Sequence, residues 1–357
     1  MKQEISSIDV LGLMSGTSLD GLDLCCVHFT FDGTWRYRIV KAESVDYSPE
    51  LRDALASAQS MTALEYARLH SDYGLYLGGQ VKAFVERNRL KVDLVASHGQ
   101  TIFHQPELRF TAQIGSGAGI AAVSGIDTVC DFRTTDVALG GQGAPLVPIG
   151  DAILFGEYDS CLNMGGFSNI SFSEGGRRLA YDISPVNYVL NHYAGLRGMA
   201  FDRDGALARG GKICPPLLEA LNGLDFYAMQ GPKSLGREWV EQAVYPLIDS
   251  FGLPVEDVLA TFVEHVAVQI GRNVRGGRVL VTGGGARNLF LLERMRAQVP
   301  QAFYVVPDPL TIDFKEALIF ALLGALFATG PANCLASVTG AARDNIGGCL
   351  YKGKQAS

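Results

Sequence analysis

Hydrophobic and polar positions alternate most clearly at the start of the chain. An apolar run from Val10 to Met14 meets the turn Ser15-Gly16-Thr17-Ser18-Leu19-Asp20-Gly21, and a second apolar run follows through Phe29. This pattern predicts a strand, a polar glycine turn and a returning strand over Ile8 to Phe31. A similar unit recurs at Ser160 to Phe172, where Cys161-Leu162-Asn163-Met164 leads into Gly165-Gly166-Phe167-Ser168-Asn169 and then Ile170-Ser171-Phe172. Two hairpins with small, polar tips imply a duplicated α/β architecture.

Helical spacing covers Pro49 to Arg89, Val255 to Arg275 and Asn288 to Val299, and a long apolar helix is expected over about Asp313 to Ala328. Val92 to Ser97 and Val279 to Thr282 read as strands. Ser184, followed by Pro185, is the expected cap of a further helix, which puts Tyr181-Asp182-Ile183 at a strand-to-helix junction. Asp131 to Pro148 is loop-rich. With no low-complexity linker to mark a boundary, the lobes are expected as 1–131 plus about 342–357, and 132–341.

Composition narrows the partners. A 357-residue chain with 48% hydrophobic and 19% charged residues suits two domains, and a formal charge of −7 without a basic run leaves no footprint for nucleic acid. A small molecule is the expected partner. The apolar stretch Ala317 to Thr329 falls short of the roughly 20 residues of a membrane helix, and Met1 to Val10 lacks a signal-peptide core. A cytoplasmic protein without membrane contact is therefore expected. Seven cysteines, with no C-x-x-C spacing, read as reduced thiols mostly in apolar surroundings.

The glycine turns test the usual phosphate sites. None matches G-x-x-x-x-G-K-[ST]. Gly283-Gly284-Gly285-Ala286-Arg287-Asn288 follows a strand and opens a helix, but Asn288 stands where a dinucleotide fingerprint needs its third glycine. The strand returning after Gly21 also argues against a P-loop or dinucleotide turn, since either would enter a helix. A hairpin tip can still bind phosphate through consecutive backbone N–H groups and hydroxyls, with Asp20 orienting water around Mg²⁺.

Two such hairpins and a strand–Gly-Gly-Gly–helix turn stand in the order of the actin-like ATPases. Met14 to Asp23 resembles the opening motif of the anhydro-N-acetylmuramic acid kinases. Ser97-His98-Gly99-Gln100-Thr101 with His104, Asp131-Phe132-Arg133 with Asp136, Gly140 to Leu146, Asn163 to Asn169, Asp182 and Thr282 to Asn288 agree in order. This resemblance implies a two-lobed, ribonuclease H-like duplicated sugar kinase fold with a central interdomain cleft. It implies that Gly16, Thr17, Ser18, Leu19, Asp20, Gly21, Leu22 and Asp23 bind the phosphates of ATP and the metal. It further implies that Gly165, Gly166 and Asn169 form a second phosphate loop, that Gly283, Gly284 and Gly285 lie beside adenosine, and that Asp182 is the catalytic carboxylate.

The implied reaction opens the 1,6-anhydro bridge of an amino sugar with water and phosphorylates O6. Asp182 would take the proton of that water, and the phosphorus electrophile would relieve the leaving oxygen, so one carboxylate suffices. Without the resemblance, Asp182 reads equally as a polar residue near a helix N-terminus. Arg133 either pairs with the substrate's lactyl carboxylate or forms a surface salt bridge; Thr134 follows it. Glu316 either meets a polar ligand or serves its helix dipole. His98 and His104 lack the spacing of a zinc pair, leaving His98 a structural or sugar-side role. Gly236 to Trp239 suits a lid or an interface. A homodimer is a family expectation. A conventional kinase of another sugar, and an actin-like ATPase switch, remain the competing readings.

Overall fold

The computed structural model describes residues 6–16, 19, 21–229, 231 and 233–353. The chain divides into two compact units, Met1–Leu154 with Phe314–Ser357, and Phe155–Asp313.

The first unit begins with the predicted hairpin, β1 (Ser7–Ser15) and β2 (Gly21–Phe31), extended by β3 (Trp35–Asp46). Next come the helices Pro49–Ser57 and Ala63–Asn88, which divide the predicted helical region, and then β4 (Leu94–Ser97). The longer helix starts at a capping box, with Thr62 accepting from the Glu65 amide while Glu65 accepts from the Thr62 amide at 2.9 Å. A small ribbon, β5 (Gln100–Gln105) with β6 (Phe110–Ile114), precedes the helix Gly117–Ser124 and β7 (Thr128–Cys130).

The second unit repeats the plan. β8 (Ser160–Met164), β9 (Phe167–Glu174) and β10 (Arg177–Pro185) form an antiparallel meander, and β11 (Gly277–Thr282) and β12 (Ala302–Val305) add parallel strands. The chain returns to the first unit through the helix Pro309–Thr329 and ends its sheet with β13 (Cys349–Tyr351).

The duplication is explicit in the strand orders. One sheet runs β13-β7-β4-β1-β2-β3 and the other β12-β11-β8-β9-β10. In both, a three-stranded meander is followed by two strands parallel to its first member, with β13 as an extra edge. This is the duplicated ribonuclease H-like topology expected of an actin-like ATPase.

The division of the chain differs from the expected 131/132 and 341/342 boundaries. The first unit keeps the segment through Leu154 and the helix from Phe314 onward because those residues complete its core. Gly150 packs against Ile319, where an added Cβ would stand 2.6 Å from a side-chain carbon. Leu318 to Leu323 are almost entirely buried, so this helix is apolar all round rather than amphipathic. It reaches β1 at Gly12, where a Cβ would fall 2.0 Å from the Ala317 carbonyl oxygen. Glycine there lets helix and strand backbones touch, and so sets Glu316 beside the end of β1.

Ser184 does not cap a helix. It lies in β10, fully buried, with its hydroxyl 3.0 Å from that of Ser168. The following helix is Asn187–Gly195, and its first amides are taken by the hairpin tip instead. Val186 and Tyr188 donate to the Gly166 carbonyl and Asn187 to that of Gly165. Helix-start N–H groups need acceptors from some source, and two glycine carbonyls satisfy that need here.

Candidate active site

In the second unit, register gathers residues that are far apart in sequence. Thr282 pairs with Asn163, Asn163 with Asn169, and Asn169 with Asp182, across four adjacent strands. Directly opposed residues share a face of the sheet, so this is one polar row at the end of β11, β8, β9 and β10. The Thr282 hydroxyl lies 3.5 Å from Asn163 Oδ1.

The two glycine turns next to this row pack on each other. Gly283 has a φ of +79°, and a Cβ there would stand 2.7 Å from Asn163 Oδ1 and 2.8 Å from the Met164 carbonyl. Both the conformation and the close approach require glycine. Gly285 would likewise meet Met164 at 2.8 Å, whereas a Cβ at Gly165 would meet its nearest neighbours only at 3.7 Å and one at Gly166 only at 3.8 Å, ordinary van der Waals contact. Gly284 to Arg287 form a short 3-10 turn, and the side chain of Asn288 caps the helix Leu289–Gln298 through the Leu291 amide at 3.0 Å. Asn288 is thus a cap, which explains why a third fingerprint glycine is not needed.

Beside these turns is a recess of about 410 Å³ lined by Asn187, Asn191, Phe201, Arg203, Gly284 and Arg287, among others. Its size is that of small-molecule pockets in general. Of these lining residues, the sequence reading placed only Gly284 beside a ligand. Asn187 and Asn191 are one helical turn apart, a spacing that signals a shared face but no particular ligand.

Asp182 sits at a bulge, where the register of β10 against β9 shifts between Asp182 and Ser184. Its amide donates to the Lys233 carbonyl at 2.9 Å, and its Oδ2 accepts from the Leu235 amide at 2.8 Å. Among the described residues, Oδ1 has no hydrogen-bond partner. Burial raises the carboxyl pKa above the usual aspartate value, and the Leu235 N–H only partly offsets this. Asp182 is therefore not the helix-start residue of the local reading, because β10 continues past it.

The segment that holds Asp182 is itself pinned. The Lys233 ammonium donates to the carbonyls of Phe226 and Met229 and lies 4.3 Å from the centroid of the Phe226 ring. Beyond it, Arg237–Trp239 form a helical turn, with Trp239 packed on Phe226 and Arg237 over Tyr188. The segment expected as a lid or interface thus packs within the second unit. Sequence reasoning missed Lys233 and Leu235, since a backbone donor and a loop lysine carry no spacing signal.

In the first unit, Gly16 begins the first turn, Leu19 donates its amide to the Gly16 carbonyl and takes a left-handed φ of +58°, and Gly21 opens β2. Thr17, Ser18 and Asp20 lie outside the described residues. Leu22 is in the core, and Asp23 accepts from the Ser44 hydroxyl at 2.5 Å. The turn springs from an anchored residue. Ser15, Tyr47 and Tyr73 close a buried ring of three hydroxyls with separations of 2.6, 2.9 and 2.7 Å.

Arg133 and His98 form a second polar group. Arg133 donates through Nε and Nη2 to His98 Nε2, at 3.2 and 2.8 Å, and through Nη1 to the Gly143 carbonyl at 2.7 Å. Receiving these bonds on Nε2 leaves the imidazole proton on Nδ1. Burial and the Arg133 charge push the His98 pKa down to about 3, so the ring is neutral. The surface salt bridge considered for Arg133 is not formed, because both of its hydrogen-bond partners are uncharged. Burial lowers the Arg133 pKa to about 10 against the opposing pull of Glu316, and the guanidinium stays charged at neutral pH.

Glu316 is exposed and lies on the helix Pro309–Thr329, well past its first turn, so the helix-dipole role does not apply. Although Glu316 keeps accessible surface, the protein packed around its carboxyl desolvates it and raises its pKa, opposed chiefly by Arg133. Thr134 is committed locally, donating to Asp131 Oδ1 at 2.5 Å. Asp136 is fully buried and holds the Gly143 amide while accepting from Thr339 and Asn345, which fixes the glycine loop whose carbonyl receives Arg133. His104 bonds Thr111 instead of facing His98.

The chain is similar to known proteins along nearly its whole length. The family model for anhydro-N-acetylmuramic acid kinase matches residues 8–353. The chain is 38% identical to the anhydro-N-acetylmuramic acid kinase of Xanthomonas oryzae pv. oryzae, covering 98% of each chain. It is 37% identical to that of Pseudomonas paraeruginosa, covering 96% of this chain and 98% of the relative. Among solved structures, the activator of the 2-hydroxyisocaproyl-CoA dehydratase from Clostridium difficile with bound ADPNP aligns over 90% of this chain and 96% of its own. That alignment has 13% identity and a TM-score of 0.44.

Proposed function

This chain belongs to the anhydro-N-acetylmuramic acid kinase family, and on that premise we propose that it uses ATP and water to convert 1,6-anhydro-N-acetylmuramic acid to N-acetylmuramic acid 6-phosphate in cell-wall recycling. The observation that carries the mechanism is Asp182, a carboxylate with one oxygen tied to a backbone N–H, the other unpartnered among the described residues, and its pKa raised by burial.

Such a carboxylate suits a general base. Oδ1 accepts a proton from the water that attacks the anomeric carbon, while the Leu235 N–H holds Oδ2 and fixes the plane of the group. The bond from the anomeric carbon to the bridging oxygen breaks, and O6 takes the phosphoryl group, which relieves its developing charge without a second acid.

We assign nucleotide binding in the second unit to Gly165, Gly166, Asn169 and the Gly283–Gly285 turn, with the adjoining recess taking the adenosine. The absence of side chains at Gly165 and Gly166 leaves their backbone open to a phosphate, and Asn187 and Asn191 in the recess offer donors and acceptors for a base. The first turn, Gly16 to Asp23, is assigned the remaining phosphate contacts. Arg133, held by neutral partners, is left with a charge suited to the lactyl carboxylate, and His98 serves as its fixed support. Thr134 and Glu316 are assigned to the sugar side.

Mg²⁺ would neutralise phosphate charge during transfer. Among the described residues, no group of three His, Cys, Asp or Glu side chains can hold a metal. Mg²⁺ keeps most of its waters and takes one or two carboxylates along with phosphate oxygens. Asp20 is the candidate carboxylate. No helix among the described residues is long and apolar enough to cross a membrane. We place the activity in the cytoplasm, with a homodimer as the assembly to be checked by sedimentation.

Turnover in isotopically labelled water tests the reading. Mass analysis should find one labelled oxygen at the anomeric carbon of the phosphorylated product. Phosphorylation without label would replace this mechanism with that of a conventional sugar kinase, and ATP hydrolysis without a phosphorylated sugar would support a switch.

A further inference from the structure

Two cysteines unused by the proposed reaction face each other across a strand pair. Cys130 ends β7, Cys349 opens β13, and the antiparallel register makes them direct Cα partners. Such partners project from one face with Cα atoms about 4.5 or 5.5 Å apart, and a disulfide accepts Cα separations of roughly 4.4–6.8 Å. Bridging them requires no change of register. β13 is also an exposed edge strand of three residues, so a small adjustment of it disturbs little packing.

Neighbouring groups place both sulfurs in one locus. Tyr351, two residues beyond Cys349 on the same strand face, lies close enough to both thiols that each raises its pKa. Gly117 leaves the room they occupy, since a Cβ there would stand 2.5 Å from Cys130 Sγ and 2.7 Å from the Tyr351 ring. Access differs between the two. Cys349 is exposed and Cys130 half-buried, and both are free thiols. The adjacent Cys25 and Cys26 are buried and, as neighbours in one strand, point to opposite faces.

We propose that Cys130 and Cys349 form a reversible oxidation site, with hydrogen peroxide as oxidant, exposed Cys349 as the first thiol attacked and Cys130 as the resolving thiol. The Cys349 sulfur attacks the peroxide, breaks its O–O bond and becomes a sulfenic acid, and its proton leaves with the released hydroxide as water. The Cys130 sulfur then displaces hydroxide from that sulfenic acid, forms the S–S bond and yields a second water. Two electrons leave the thiol pair and reduce the peroxide. The bridge ties β13 to the strand that leads, through Asp131, to Arg133.

The test is controlled peroxide oxidation of the full chain, followed by alkylation and non-reducing digestion with mass analysis. The expected result is one linked pair of peptides joining Cys130 to Cys349, lighter by two hydrogens and reversed by dithiothreitol. Free thiols should fall by two from the seven in the sequence, to five. C349S, at an exposed edge position, should keep its fold and leave Cys130 alkylatable after the same treatment. Conversion of Cys349 to sulfinic acid, or a Cys349–Cys349 bridge between two chains, with Cys130 still alkylatable, would overturn the proposal.

Discussion

The two units repeat one sheet topology yet end their central strands in different chemistry. The second ends in a polar row, Thr282–Asn163–Asn169–Asp182, whose one ionisable member is the Asp182 carboxylate, beside glycine turns that pack backbone on backbone. The first ends near full charges, with Arg133 seated on neutral His98 and Glu316 close by. The contrast suits the division of labour proposed here: backbone amides and a base in one unit, a cation for a carboxylate in the other. Duplication supplies the frame, and the residues at strand ends decide what each copy does.

The comparison breaks most completely at Asp182. Asp182→Asn should lower turnover by roughly 10²–10⁴-fold, the range for losing a positioned base, while ATP still binds by calorimetry. The same variant should lose no stability at neutral pH. A carboxylate whose folded pKa lies above its unfolded value destabilises the fold once pH rises past the unfolded value, and asparagine removes that cost while its oxygen can still accept from Leu235. A drop in melting temperature would refute this account of the site.

Gly283→Ala should be the most damaging change to the nucleotide turn. A left-handed φ costs a non-glycine residue roughly 1–2 kcal/mol, and the added carbon meets main-chain atoms of Met164 as well. Weakened ATP binding with an unchanged affinity for the sugar is expected. Gly166→Ala, whose added carbon would meet Tyr188 only at an ordinary 3.8 Å, should be milder if stability alone is read.

Arg133→Met sharpens the contrast from the other side. It strips His98 Nε2 and the Gly143 carbonyl of their donor, at roughly 1–3 kcal/mol for each buried group left unsatisfied. Steady-state kinetics should show KM for the sugar rising more than KM for ATP. Leu235→Pro is subtler; along with the leucine side chain it removes the N–H that holds Asp182 Oδ2. The acid limb of the kcat/KM profile should then move to higher pH, since the bond that lowers the Asp182 pKa is lost.

One pH effect is common to both units. His98 and His265 are both buried, one in each unit, and both are held neutral with pKa values pushed down from 6.5 to about 3. Each binds its proton more readily when unfolded, so stability is present above about pH 6.5 and declines as pH falls toward 3. Arg133→Met should also raise the His98 pKa, and nuclear magnetic resonance of the imidazole would detect the shift.

Much of this was legible in the sequence because its causes are local. Apolar runs on either side of small polar turns give the hairpins, the Gly283–Gly285 turn requires positive φ or close approach, and the apolar run after Asp313 marks a buried helix. Ser184 misled for the same reason. Read locally it is a cap, but it pairs with Ser168, sixteen residues away, and the glycine tip serves the helix instead. The resemblance to known kinases singled out Asp182 and Asn169, while nothing in their spacing makes them strand partners.

The repeated strand–turn–strand units, the elements around them and the family of the chain are written in its local residue pattern. It took the folded chain to bring Thr282 into register with Asn163 across 119 positions, to rest Arg133 on His98, and to set Leu235 against Asp182. The tertiary structure also decided that the chain returns to its first unit at Phe314. Side-chain periodicity reports which face of an element is buried, but register and partner choice come from closing long loops around a shared core. That cost and its repayment belong to the whole chain, so no short stretch of sequence records them.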